Sequence, residues 1–278
     1  MPKAPPPQGR YWAACSMRFP TCKRSSPPER GALSAALRRA LLPGLILLAA
    51  WPAVWASVVL NNTRIVYPGQ ARESSIQLRN EDSIPNVVQV WLDAGEVDSA
   101  PERATAPFAA MPSVFRMEPK AGQTVRLVFD GSELPQDRES VYYFNMLQIP
   151  SVNGEFSEQN QMMVMLRSRL KLFYRPTGIQ GKVEQAPSQL RFSLQRQGRA
   201  WRLVADNRSG YHLSLIGGEV LSGGKAHAFS ADMLAPFSRG SWPVPGLTQA
   251  GAPFSVRFKH VNDYGGVNEV ESAAVTAE

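Results

Sequence analysis

Residues 161–176 read QMMVMLRSRLKLFYRP: five apolar residues in a row, then Arg167, Arg169 and Lys171 at every second position, then a proline. Successive residues of a β-strand face opposite sides of a sheet, so an ordinary half-buried strand alternates apolar and polar along its length. The three cations fit that period, and Pro176 closes the strand because it cannot donate to the ladder. The preceding run does not fit. Met162, Val164 and Leu166 share one pleat face and Met163 and Met165 the other, so both faces are apolar. Two arrangements satisfy this pattern. The strand is covered on both sides within its own sandwich, or Met163 and Met165 fill the domain's own core and the opposite row is left for a partner, as an edge strand allows.

The same period-two signal runs outward on both sides. Ile76 and Leu78 alternate with Ser75, Gln77 and Arg79; Val88, Val90 and Leu92 alternate with Gln89 and Asp93; Val125, Leu127 and Phe129 follow a turn at Lys120 to Gly122. Beyond Pro176 it resumes in Leu190, Phe192 and Leu194, in Trp201, Leu203 and Ala205, and in Phe254, Val256 and Phe258. Many short strands punctuated by Pro, Gly, Asn and Asp predict an all-β chain, and its length exceeds the roughly 100 residues of one immunoglobulin-like sandwich. The expectation is two such sandwiches in tandem, over 57–175 and 176–278, with a loose C-terminal tail. The boundary falls at Tyr174 to Gly178, where proline ends a strand and glycine permits a sharp turn.

Residues 1–56 belong to neither sandwich. Arg38 and Arg39 precede the apolar stretch ALLPGLILLAAWPAVWA, which ends with Val54 and Ala56 spaced as at a secretory cleavage site. Pro43, Gly44 and Pro52 interrupt a run shorter than the roughly 20 residues of a membrane span. A cleaved signal peptide behind an N-terminal extension is expected, with Met1 or Met17 as the initiator and no membrane insertion of the mature chain. Eight of the 30 Lys+Arg and one of the 23 Asp+Glu lie in this segment, so the rest is balanced at 22 of each. The basic excess leaves with the signal, and nucleic acid drops out as a partner. Cys15 and Cys22 leave with it too, so the exported chain holds together without a disulfide.

Catalytic signals are missing. His212, His227 and His260 have no metal-cluster spacing, no thiol nucleophile survives maturation, and neither a G-x-S-x-G elbow nor a phosphate-cradling loop occurs. No enzyme, metal or cofactor is expected. Arg64, within NNTRIVYPGQ (61–70), interrupts an apolar run; with Lys171 it could hold a carboxylate, provided the fold brings the two together.

Read in order, NNTRIVYPG (61–69), LPQDRESVYYFNMLQIP (134–150), RLKLFYRPTGI (169–179) and VNDYGGV (261–267) resemble the periplasmic chaperones of the chaperone-usher pathway, which assembles bacterial pili. The resemblance implies two immunoglobulin-like β-sandwiches arranged as a boomerang, in a periplasmic chaperone that stabilises pilus subunits by donor-strand complementation and delivers them to an outer-membrane usher. It implies that Met162, Val164 and Leu166 are the donated row, and that Arg64 and Lys171 bind the subunit's C-terminal carboxylate. Glu139, Arg175 and Asp263 match the positions that link the domains by ion pairs. Strict alternation puts Lys171 on the face opposite the donated row, so a bulge or a turn of the strand is expected to reorient it. The stretch from Ile149 to Met162 resembles the short-loop subgroup. The alternative function is a secreted adhesion or carbohydrate-binding module, which would use exposed aromatic loops such as the one around Trp242.

Overall fold

The computed structural model describes residues 58–96, 98–151, 162–249 and 253–275. The expected signal peptide, and most of the loop that suggested the short-loop subgroup, lie outside the described residues.

The first sandwich contains β1 (Val58–Leu60), β2 (Arg64–Pro68), β3 (Glu73–Asn80), β4 (Asn86–Asp93), β5 (Phe108–Met111), β6 (Val114–Met117), β7 (Gly122–Phe129), β8 (Ser140–Pro150) and β9 (Leu166–Arg175). One sheet has the order β1-β3-β7-β5 and the other β2-β9-β8-β4-β6. The alternating residues meet between them: Leu78, Val88, Val90, Val125, Leu127 and Leu172 are all buried in one cluster. The rings of Tyr67, Phe108, Phe129 and Tyr174 close one end of it, with Phe129 and Tyr174 centroids 4.9 Å apart. Offset aromatic packing of this kind adds to what burial alone provides.

The second sandwich contains β10 (Arg191–Gln197), β11 (Ala200–Asp206), β12 (Leu213–Ser222), β13 (Lys225–Ser230), β14 (Met233–Leu234), β15 (Arg239–Pro243), β16 (Phe254–Val261) and β17 (Val267–Glu271). Its sheets run β10-β11-β15 and β13-β12-β16-β17, with β14 also on β12. Phe192, Leu203, Val220, Val256 and Phe258 lie in its core. Near the C-terminus, β17 pairs with β16 and Val275 bridges to Phe254. Both sandwiches fall within one compact unit.

β9 decides what this fold can do. It pairs antiparallel with β8 from Leu166 to Tyr174, but parallel with β2 only from Lys171 to Arg175. Over Leu166–Leu170, among the described residues, it therefore has a neighbour on one side only. The pairing with β8 shows no register shift, so the bulge expected to turn Lys171 is not there. The faces are also assigned differently from the sequence reading. Leu170, Leu172 and Tyr174 are the buried residues on the core side, and Met162, Val164 and Leu166 are in phase with them. Met163 and Met165 do not fill the core: residues 162–165 precede the strand, and these two are 46% and 56% exposed. At this point β9 has not yet begun, although β8 runs on to Pro150, and Met162 to Met165 are open to solvent.

Candidate functional site

The donated row predicted from the sequence is open to solvent: Met162 is 91%, Val164 66% and Leu166 50% exposed. A contiguous apolar run on a strand with an unpaired edge is an aggregation hazard unless it is kept for a partner. Leu166 is in phase with the buried Leu172 and Tyr174 of β9, and Met162 and Val164 precede it at the same two-residue spacing.

Arg64 is the first residue of β2, and its Cα is in register with that of Lys171 on β9. The free edge of β9 thus ends where β2 begins, with two cations side by side. Arg64 is 9% exposed. Its Nη1 donates to the carbonyl of Val261 at 2.9 Å and to the Ser214 hydroxyl at 3.4 Å, both from the second sandwich, and the guanidinium lies 5.9 Å from the Phe173 ring centroid. Among the described residues Nε has no hydrogen-bond partner. Burial pulls the Arg64 pKa below that of a free guanidinium, against the opposing fields of Asp263 and Glu139. Lys171 is also depressed, first by burial and then by the charge of Arg64. A pair of partly desolvated cations in adjacent register is suited to an anion with two oxygens. Lys171 stays on the face opposite the buried Leu172 and Tyr174.

Arg64 also lines a cleft of about 700 Å3 between the sandwiches, together with Glu139, Arg175, His212 and Asp263. Arg175 bridges two carboxylates there. Its Nε donates to Glu139 Oε1 at 2.7 Å, and Nη1 and Nη2 donate to Asp263 at 2.7 and 3.1 Å. Glu139 is buried, and its other oxygen accepts the backbone N–H of His212 at 2.8 Å. The Glu139 N–H donates to the carbonyl of Gly210 at 2.8 Å, an approach that only glycine allows: a Cβ at 210 would lie 2.6 Å from the Asp137 carbonyl. The ion triad thus joins Glu139 and Arg175 of the first sandwich to Asp263 of the second.

The turn that carries Asp263 explains the run VNDYGGV. The Asn262 side chain accepts the N–H groups of Tyr264 and Gly266, folding the chain back between β16 and β17. Gly265 has φ +86 and packs against Thr63, the residue before Arg64. One turn therefore positions an ion-pair partner, a close contact beside Arg64 and, through Val261, the carbonyl that holds its guanidinium. The roles of Ser214 and the Val261 carbonyl were not visible in sequence, because a serine and a backbone oxygen carry no motif.

Trp242, placed on an exposed aromatic loop in the alternative reading, lies instead in β15 at 9% exposure, stacked on Phe229 with centroids 6.4 Å apart. Its alternating neighbours carry it into the second core. Among the described residues no helix is long and apolar enough to cross a membrane.

Comparison with known proteins places this geometry in context. Residues 57–180 match the family described as "Pili and flagellar-assembly chaperone, PapD N-terminal domain", and residues 185–272 match "Pili assembly chaperone PapD, C-terminal domain". The chain is 37% identical over 218 residues to the probable fimbrial chaperone YadV of Escherichia coli K12, covering 77% of this chain and 88% of that protein. It is 34% identical over 243 residues to the chaperone protein FimB/FhaD of Bordetella pertussis, covering 86% and 95%. The crystal structure of the YadV chaperone superposes with a TM-score of 0.67 at 32% identity, covering 79% of this chain and all of the other. That of the periplasmic chaperone SfaE gives 0.60 at 27% identity, covering 78% and 99%.

Proposed function

The chain belongs to the pilus-assembly chaperone family, and from that premise we propose that it caps a pilus subunit in the periplasm by lending it a strand, then delivers it to an outer-membrane usher. Export by a cleaved signal peptide is part of the proposal. So is action without catalysis or ATP: the work is done by binding.

One observation carries the reading: among the described residues the edge of β9 is unpaired over Leu166–Leu170, follows directly on an exposed apolar row, and stops at Arg64 and Lys171. A subunit lacking one strand of its own sandwich would pair with that edge through backbone hydrogen bonds and take Met162, Val164 and Leu166 into its incomplete core. If its carboxylate sits at the cations, its last strand runs parallel to β9 and in line with β2, because both then approach β9 from the same side in the same direction. Each charge-assisted hydrogen bond to the carboxylate contributes about 1.5 to 3 kcal/mol, which fixes the register of the added strand. An imperfectly filled groove can later yield to a better-fitting strand from the next subunit, and that difference in packing helps drive assembly.

The test is co-expression with a pilus subunit followed by periplasmic co-purification. The wild-type chain is expected to retain the subunit; Arg64→Ala and Lys171→Ala are expected to fold and to lose it. Undiminished retention by either variant contradicts the anchor.

A further inference from the structure

Where its edge is free, β9 is tied down across its outer face. The Arg169 guanidinium donates from Nη2 to Asp93 Oδ1 at 2.6 Å and lies 4.1 Å from the Tyr143 ring centroid. Arg167 donates from Nε and Nη2 to Asn145 Oδ1 at 3.2 and 2.8 Å, with its guanidinium 4.9 Å from the Trp91 ring centroid. Asn145 in turn donates to Asp93 Oδ2 at 2.7 Å, and the Gly95 N–H donates to Oδ1 at 2.8 Å. Asp93 is the last residue of β4, two strands away from β9, and is fully buried. A carboxylate so placed is costly unless it is paired and hydrogen-bonded. Burial pushes its pKa up, but the donors from Asn145, Ser99, the Gly95 backbone and Arg169 outweigh burial and hold it below the usual carboxylate range.

None of these groups lines the cleft at Arg64. What they share is the segment of β9 with a single strand neighbour. Such a segment opens more readily than one paired on both sides, since fewer backbone hydrogen bonds hold it. We propose that Asp93 is a positioning residue for strand donation, gripping Arg169 directly and Arg167 both through Asn145 and across 4.0 Å from its own Oδ2, so that Leu166–Leu170 stays extended on β8 while its other edge waits for a subunit. The inference rests on the reading of β9 as the donated strand.

The first test needs no subunit. Amide hydrogen exchange is measured on the full chain carrying Asp93→Asn or Arg169→Gln; the second variant removes the same contact from a partly exposed side chain, should the first fail to fold. Loss of one charge-assisted hydrogen bond predicts roughly tenfold faster exchange over Leu166–Leu170, with β3, β7 and β16 unchanged. Because Asp93 also holds Arg167, Asp93→Asn has the larger effect, and the double variant exchanges no faster than Asp93→Asn alone. Unchanged exchange at Leu166–Leu170, a uniform rise across the first sandwich, or additive effects overturn the proposal. The second test is retention of a co-expressed pilus subunit, expected to fall in both variants; faster local exchange with full retention overturns the positioning role. If the wild-type chain retains no subunit, the donor reading itself falls and the positioning role with it. If the wild type retains the subunit but exchange is unaffected, only the role of Asp93 is lost.

Discussion

Arg175→Met gives the sharpest energetic test of the junction. The substitution keeps most of the side-chain volume and removes the guanidinium donors to Glu139 and Asp263. The Glu139 side chain is 1% exposed and that of Asp263 28%, so the two losses are unequal. Breaking a buried pair by removing one partner costs about 3–5 kcal/mol; for Glu139 the low end applies, because the His212 N–H still donates to it. Asp263 regains water and adds about 0.5 kcal/mol. The expected loss is about 3.5 kcal/mol, more than a hundredfold in the folding equilibrium. Urea unfolding followed by tryptophan fluorescence measures it, with Trp91 reporting from the first sandwich and Trp201 and Trp242 from the second. Glu139→Gln closes a double-mutant cycle with an expected coupling of at least about 1 kcal/mol. A loss under about 1 kcal/mol with additive single effects refutes the reasoning, because the guanidinium would then not be bridging the two carboxylates in solution.

Three further outcomes follow from the same geometry. Arg64 and Lys171 are directly opposed like charges, an arrangement that costs roughly 0.2–1 kcal/mol, so Lys171→Met raises the melting temperature of the free chain while abolishing subunit retention; a lowered melting temperature contradicts this. Burial, reinforced by the charge of Arg64, depresses the His260 pKa against a contact at the Val261 backbone. The unfolded chain therefore binds a proton below about pH 6.5 that the folded chain resists, and stability declines as pH falls from there through the depressed value; urea midpoints between roughly pH 7.5 and 5.5 should show a flatter profile for His260→Gln, and an unchanged slope counts against it. Gly265→Ala forces φ +86 on a residue with a Cβ and presses it onto Thr63, whereas Gly131, at φ +84, has nothing within 4 Å. Gly131→Ala should cost about 1 kcal/mol and Gly265→Ala about 2; equal losses in urea unfolding show that the contact at Thr63 does not matter.

The sequence carried the all-β architecture because period-two burial is a local property: Ile76 and Leu78, or Val256 and Phe258, announce their face within three residues. The ends of β9 were harder. Where β9 begins is set by its pairing with β8, which starts at Leu166 opposite Gln148, a partner the local pattern does not reveal, and this is why an arrangement with Met163 and Met165 in the domain's own core stayed open in the sequence. Trp242 failed for the opposite reason: it was read as part of a loop when its alternation within RGSWP belongs to β15. The cations Arg64 and Lys171 could be named from the family resemblance, but their common register comes from a parallel pairing that no local pattern encodes. The grip of Asp93 on Arg169 was equally hidden. Arg167 and Arg169 were seen as an alternating row, yet nothing at the end of β4 marked the carboxylate they share.

The most direct measurement is amide exchange on the chain in complex with a pilus subunit, compared with the free chain. Subunit binding should slow exchange over Leu166–Leu170, at the edge that β8 leaves open. It should leave Lys171–Arg175 unchanged, because β2 and β8 already flank those residues. Protection that extends across Lys171–Arg175, or that appears at another sheet edge while Leu166–Leu170 continues to exchange as in the free chain, contradicts strand donation at β9.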